Sequence, residues 1–119
     1  MKNYENKMEI IGPYTPWEPP HKINNNGQQH WYKNDKFHRE YGPAVIYRNG
    51  DQFWFKDDKL HREDGPAVIY ADGDKYWWYN YMPITKEVLE WTNNCQIDLD
   101  NMSESDKLLL KIFINSIGE

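Results

Sequence analysis

Residues 27–49 read GQQHWYKNDKFHREYGPAVIYRN, and residues 50–72 read GDQFWFKDDKLHREDGPAVIYAD. The two stretches are adjacent, and 15 of their 23 positions are identical. A third copy begins at Gly73 as GDKYWWYN and then diverges. A degenerate earlier copy is indicated by matching residues at Pro20, Ile23, Asn26 and Gly27. Self-similarity at a fixed period indicates that one supersecondary unit is stacked repeatedly.

Each unit is predicted to form a β-hairpin. The segments Ala44–Tyr47 and Gln52–Lys56 are rich in β-branched and aromatic residues, and they flank Asn49-Gly50, a preferred two-residue turn. A second polar turn, at residues 34–36 in the first copy and 57–59 in the second, reverses the chain, and Gly-Pro precedes the next strand. The expected fold is therefore mainly β, an antiparallel meander of repeated β-hairpins.

Beyond residue 84 the hydrophobic period becomes that of a helix. Thr85 is predicted to cap a short helix over Lys86–Trp91, and Ser103 a longer one over Glu104–Ile117. The longer helix carries one apolar stripe, formed by Leu110, Phe113, Ile114 and Ile117. Because that stripe must be buried, we expect the C-terminal α-helices to cap the repeat array.

Length and charge limit the classes of function. The 119 residues suit one small domain, and 19 aromatic side chains can supply a core despite a mean hydropathy of −1.01. The N-terminal extended segment with the degenerate repeat (1–26) is balanced in charge, as is the repeat region (27–84), whereas the helical cap (85–119) has three positive and seven negative residues. With a net charge of −5 there is no broad basic surface, so we do not expect nucleic acid as a partner.

Cysteine usage and hydropathy indicate the compartment. Cys95 is single, which excludes an internal disulfide and a cysteine-based zinc site. The first residues lack the apolar run of a secretory signal, and no stretch approaches the roughly 20 apolar residues that span a membrane. We therefore expect a cytoplasmic protein with no membrane partner, no metal and no cofactor.

The repeat resembles MORN-type hairpin repeats, and more closely their variant in bacterial, phage and giant-virus proteins, G-x-x-x-W-x-x-x-G-x-x-H-R-x-D-G-P-A. The first copy matches it at Gly27, Trp31, His38, Arg39, Gly42, Pro43 and Ala44. The second matches at Gly50, Trp54, His61, Arg62, Asp64, Gly65, Pro66 and Ala67. The third begins with Gly73 and Trp77. Departures from the pattern are Asp35 and Asp58 at its turn glycine and Tyr41 at its aspartate.

The resemblance implies curved hairpin sheets that act as scaffolds or protein-binding surfaces and share no catalytic chemistry. Short stand-alone copies look like phage accessory proteins. This implies a viral protein that binds a host protein in the host cytoplasm and inhibits a defence system. The other partner to consider is a second copy of the chain, joined through an edge strand to give a homo-oligomer.

The duplicated His-Arg-Glu sequence invites an enzymatic interpretation. Duplication argues against catalysis, because catalytic acids and bases need different environments and equivalent repeat positions give equivalent ones. We interpret His38, Arg39, His61 and Arg62 as ties between neighbouring hairpins. The two histidines would lie about 9.5 Å apart, two strands, which is too far for one shared zinc ion. An enzyme is the third hypothesis after the two binding hypotheses below.

The aromatic residues are predicted to form the binding surface. Alternation places the repeat tryptophans on one face and the rings that follow them, Tyr32, Phe55 and Trp78, on the other. The third copy should end in an edge strand, whose predicted binding residues are Tyr76, Trp78, Tyr79 and Tyr81. A non-catalytic protein-binding module is the leading hypothesis. The alternative is a ligand-binding module whose rings stack on a carbohydrate or enclose a choline-like cation.

Overall fold

The computed structural model describes residues 18–118, and the expectations for residues 1–17 lie outside this range. Within the described range the chain forms short strands followed by two helices. The strands are β1 Lys22–Ile23, β2 Gln29–His30, β3 Tyr32–Lys33, β4 Lys36–Phe37, β5 Val45–Ile46, β6 Gln52–Phe53, β7 Phe55–Lys56, β8 Lys59–Leu60, β9 Val68–Ile69, β10 Lys75–Tyr76, β11 Trp78–Tyr79 and β12 Met82–Pro83. The helices are α1 Thr85–Cys95 and α2 Glu104–Gly118.

Six strands form one antiparallel sheet in the order β1-β2-β5-β6-β9-β10. Its central hairpin is the predicted one, with Val45 opposite Phe53 and Ile46 opposite Gln52. The degenerate earlier copy contributes β1, which pairs with β2. The other strands form three two-stranded ribbons, β3-β4, β7-β8 and β11-β12. Each unit therefore adds a hairpin to the sheet and a ribbon beside it, which confirms a mainly β architecture of antiparallel hairpins.

The segment predicted as one strand over Gln52–Lys56 is broken at its tryptophan. Trp54 lies between β6 and β7. Its backbone N–H donates to the carbonyl of Ala67 at 2.7 Å, and its carbonyl accepts from the N–H of His61 at 3.1 Å. Trp31 makes the equivalent two bonds in the preceding unit, at 2.8 and 3.1 Å. The continuous strand is therefore a wrong prediction, because the chain passes from the sheet to the ribbon at this residue.

The turns also differ from the prediction. In the sheet hairpin the N–H of Gly50 donates to the carbonyl of Tyr47 at 2.9 Å, and within this turn Gly50 alone has a positive φ, 104°. The predicted two-residue Asn49-Gly50 turn is therefore wrong. Positive φ at both central positions, which type I′ turns require, occurs instead in the ribbon turns Asn34-Asp35, Asp57-Asp58 and Asn80-Tyr81.

The repeat arginines lie on the repeat tryptophans. The guanidinium carbon of Arg62 is 3.9 Å from the centroid of the Trp54 ring, and Nη1 donates to the carbonyl of Pro66 at 3.0 Å. Arg39 makes the equivalent contacts in the preceding unit, at 3.9 and 3.1 Å. A Cβ atom on Gly65 would lie 2.7 Å from the Arg62 guanidinium carbon. The glycine of the motif therefore leaves the space that the arginine fills.

The buried histidines join successive units. The backbone N–H of Asn80 donates to Nδ1 of His61 at 2.9 Å, and that of Asp57 donates to Nδ1 of His38 at 3.2 Å. The proton of each neutral ring is then on Nε2, which in His61 faces a carboxylate oxygen of Glu63 at 3.3 Å. Each histidine thus holds the ribbon turn of the following unit, consistent with the interpretation of these residues as ties.

The two helices pack against the last unit. Their contact with it forms the main hydrophobic core, made of Trp77, Ile84, Val88, Leu110 and Ile114. The apolar stripe predicted for the longer helix is confirmed, since Leu110 and Ile114 are fully buried while Phe113 and Ile117 pack against this core. Ile84 and Val88 follow His61 and Gly65 by 23 residues. The helical cap therefore begins where the third copy would need its motif.

The N-termini of the two helices are stabilised in different ways. The cap predicted at Thr85 is wrong: α1 has no side-chain capping bond, and Oγ1 of Thr85 instead accepts the backbone N–H of Trp77 at 2.9 Å. The helix also extends beyond Trp91 to Cys95. The start predicted at Ser103 is confirmed by two reciprocal bonds of 3.1 Å with Asp106, a capping box. Neither described helix has the length and apolar character that crossing a membrane requires.

Replacing the tryptophan under the helices should cost more than replacing the one under arginine. Trp77→Ala should lower the free energy of unfolding by about 3–5 kcal/mol, because its ring is buried in the core. Trp54→Ala should cost less, because its ring is half-buried. Urea unfolding of both variants measures the difference, and an equal or greater loss for Trp54→Ala would contradict this core assignment.

A methyl group on Gly65 should push the Arg62 side chain off Trp54. We expect Gly65→Ala to lower the free energy of unfolding by about 1–3 kcal/mol, the usual cost of overpacking. The control is the same substitution in an Arg62→Ala background, where no guanidinium is displaced and the cost should largely disappear. Equal costs in both backgrounds would show that Gly65 is required for another reason.

Candidate functional site

The face of the sheet opposite the repeat tryptophans carries an ordered row of side chains. Cross-strand pairing places five residues side by side in the order His30, Val45, Phe53, Val68 and Tyr76. Rings and valines alternate, because equivalent residues recur on every second strand of the sheet. The valines are buried, whereas Tyr76 is exposed.

Further rings extend this row on both sides. On the sheet, Tyr47, Phe53, Tyr70 and Tyr76 form a chain of ring contacts with centroids 5.2, 6.1 and 5.8 Å apart. On the ribbons, Phe37 and Phe55 are 5.3 Å apart, and Trp78 and Tyr81 are 5.8 Å apart. We call the groove between the sheet rings and the ribbon rings the trough.

The trough consists of two equivalent subsites. The first has a volume of about 960 Å³ and is lined by His30, Phe37, Val45, Tyr47, Phe53, Phe55 and Leu60, together with Tyr81 from the last ribbon turn. The second has a volume of about 310 Å³ and is lined by Phe53, Leu60, Val68, Tyr70, Tyr76, Trp78 and Pro83. Every residue of the second set follows its counterpart in the first by 23 positions. The repeat therefore presents an apolar surface of the same layout twice in succession.

Charged groups lie at the margin of the first subsite. Asp57, Asp58 and Lys59 line it together with the rings. Oδ1 of Asp58 accepts the N–H of Phe37 at 2.6 Å, and Oδ1 of Asp57 is 3.4 Å from Nδ1 of His38. Two carboxylates against one ammonium give this margin a net negative charge.

His30 closes one end of the trough as a neutral ring. Its Nδ1 is 2.9 Å from the hydroxyl of Tyr32, and its ring centroid is 5.4 Å from that of Phe37. Burial, with a smaller contribution from the positive charge of Lys22, holds the pKa of His30 below its ordinary value of 6.5. At neutral pH the His30 ring is therefore uncharged.

The structure brings together three of the four predicted binding residues. Tyr76 and Trp78 line the second subsite, and Tyr81 lines the first. Tyr79 lies elsewhere: its ring is 4.5 Å from that of His61, and its hydroxyl donates to Oδ1 of Asn115 at 3.3 Å. It packs against the helical core, so its position is that of a structural residue.

Sequence reasoning missed the part of the trough that the first two units supply. The rings absent from the predicted set are Phe37, Tyr47, Phe53, Phe55 and Tyr70. A signal was present, since Phe53 and Phe55 flank Trp54 and alternation directs both away from its face. The predicted set lacks these rings because it is drawn only from the last copy, where an edge strand is expected.

The opposite face carries the polar motif residues. A small pocket of about 160 Å³ there is lined in part by His38, Glu40, His61, Glu63 and Lys111. Glu40 accepts from Nε2 of His38 at 2.6 Å, and this hydrogen bond is the main reason that the pKa of Glu40 lies below its ordinary value. Among residues 18–118, no three histidine, cysteine, aspartate or glutamate side chains come together in a way that could hold a metal ion.

A second apolar surface lies on α2. Leu108, Leu109 and Ile112 are each at least half exposed, on the side of the helix away from the core stripe. No described part of the chain covers them.

Comparison with known proteins finds no protein-family model, no curated protein and no solved structure that matches this chain.

The lowered pKa of His30 should appear as a pH dependence of stability. The unfolded ring takes up a proton near pH 6.5, whereas the folded ring resists it, so the free energy of unfolding should fall as pH drops below about 6.5. An NMR titration of the His30 ring should give a midpoint below 6.5, and Lys22→Gln should raise it slightly. A midpoint at or above 6.5 would contradict the burial of this ring.

Proposed function

We propose that the protein is a non-catalytic binding module of the MORN-like type and that the trough holds a protein partner. The observation that carries this proposal is the pair of equivalent aromatic subsites, open to solvent and not used by the helical core. Exposed apolar surfaces of this kind mark interaction sites, and Tyr, Trp and Phe are the side chains enriched in them. The resemblance to phage accessory proteins favours a host protein as the partner.

The conformation of Tyr81 supports a binding role. Tyr81 is the second central residue of its ribbon turn, where the earlier units have Asp35 and Asp58. Its φ of 67° is left-handed, a region that aspartate and asparagine tolerate but that costs other residues about 1–2 kcal/mol. The side chain is 65% exposed, so folding gains little packing in return. A bulky ring held at such a cost is typical of functional positions.

The use of the motif residues supports a function without catalysis. Both ring nitrogens of His61 have partners, the N–H of Asn80 and a carboxylate oxygen of Glu63. Arg62 lies on Trp54 and donates to the backbone. These side chains, the most reactive of the repeat, hold the units together on the face opposite the trough.

Two substitutions in the trough test the proposed function. Trp78→Ala and Tyr81→Asn should each weaken capture of the partner from a host lysate about 30-fold or more, the effect expected for an interface anchor. Tyr81→Asn should leave the unfolding midpoint unchanged or higher, because asparagine suits the left-handed turn position. Quantitative mass spectrometry of the captured proteins provides the measurement.

Ile23→Ala is the matched control for these variants. Ile23 is 62% exposed and lies on the other face of the sheet, so this variant should capture the partner as the wild type does. Normal capture by both trough variants would contradict the proposal and direct attention to the exposed side of α2.

A further inference from the structure

We infer that the segment bound in the trough is a polyproline II helix, an inference that rests on the proposed function. The observation behind it is the distance between the two subsites. Val45 on β5 and Val68 on β9 are counterparts, and a single strand, β6, lies between them. Neighbouring strands are about 4.7–4.9 Å apart. Two strand spacings separate the counterparts, so the subsites repeat about every 9.5 Å along the trough.

Among regular peptide conformations, this distance fits polyproline II best. That helix rises about 3.1 Å per residue with three residues per turn, which gives about 9.3 Å per turn. Every third side chain would therefore meet an equivalent subsite. In a β-strand, residues on one face are about 6.6 Å apart, so they cannot stay in step with the subsites. Two turns of an α-helix advance about 10.8 Å, which exceeds the spacing by more than 1 Å.

The trough also offers the hydrogen-bond donors that such a ligand needs. A polyproline II helix has no internal hydrogen bonds, so its carbonyl groups must find donors elsewhere. Tyr47, Tyr70 and Tyr76 lie in the trough and are partly exposed, and within residues 18–118 their hydroxyls form no hydrogen bond. Tyr47 and Tyr70 are counterparts one repeat apart, so their hydroxyls can donate hydrogen bonds to ligand carbonyls that lie one helical turn apart.

The charge at the margin indicates what flanks the prolines. Asp58 uses one carboxylate oxygen to accept the N–H of Phe37, which leaves its second oxygen for a ligand, and Asp57 adds a second negative charge beside it. Lys59 alone opposes them in the first subsite. The partner segment should therefore carry an arginine or lysine next to its proline-rich stretch.

The chain itself has prolines at this spacing, Pro13, Pro16 and Pro19. The carbonyl of Glu18 accepts the indole N–H of Trp31 at 3.1 Å. Trp31 belongs to the face opposite the trough. We assign the trough to a proline-rich segment of a partner protein.

Synthetic peptides test this assignment with the full-length protein. The probe is a nonapeptide with proline at every third position and an arginine at one end, and its control is an isomer of the same composition with prolines two and four residues apart. We expect saturable NMR shifts of the Trp78 indole and the trough tyrosines, with the isomer bound at least tenfold more weakly. Tyr47→Phe and Tyr70→Phe should each weaken binding about threefold to tenfold.

Charge and ligand class are tested in the same titrations. Asp57→Asn should weaken binding of the arginine peptide several-fold and leave an alanine-substituted peptide unaffected, while Ile23→Ala should bind both as the wild type does. Equal affinity for the isomer would overturn the inference. So would NMR shifts with the sugar cellohexaose and not with the peptides, which would indicate a carbohydrate ligand. Self-association of the chain that Trp78→Ala abolishes would also overturn it, because a second copy would then occupy the trough. If the peptides fail but Trp78→Ala and Tyr81→Asn still lose partner capture, the proposed function stands and the polyproline II ligand is wrong.

Discussion

The structure depends on the backbone bonds made by the tryptophan of each unit. The N–H of Trp54 is bound by Ala67 and its carbonyl by His61, so the chain must leave the sheet at this residue and enter a ribbon. Because side chains alternate, this corner turns the indole to one face and directs Phe53 and Phe55 to the other. The same corner that supports the arginine stack therefore also creates the trough.

The repeat continues until its motif is replaced by a helix. In the third copy Ile84 occupies the position equivalent to His61. Its N–H donates to the carbonyl of Trp77 at 2.9 Å, just as the N–H of His61 donates to the carbonyl of Trp54. The hydroxyl of Thr85 accepts the Trp77 N–H in place of an alanine carbonyl. The last corner thus keeps its hydrogen bonds, while Val88 and α2 cover the indole that an arginine would otherwise cover.

The sequence could predict what depends on local pattern and period. The hairpins followed from the repeat, and the position of α2 followed from its apolar stripe and the Ser103 capping box. The break at Trp54 could not be predicted, since residues 52–56 are uniformly β-prone and the bonds that break the strand come from residues far along the chain. For the same reason the trough was only half predicted: its rings belong to two sets of strands whose relative position depends on that break.

The residues that pack the core and the residues that line the trough occupy different faces of the same strands. Trp77 is 4% exposed beneath the helices, whereas Tyr76 and Trp78, its immediate neighbours, lie in the trough. The largest loss of apolar burial therefore comes from substitutions on the tryptophan face, and the trough rings are less constrained by packing. This separation leaves the trough residues free to vary, as the replacement of Phe53, Phe55 and Leu60 by Tyr76, Trp78 and Pro83 in the last unit illustrates. The two subsites thus share a backbone spacing and differ in side-chain chemistry.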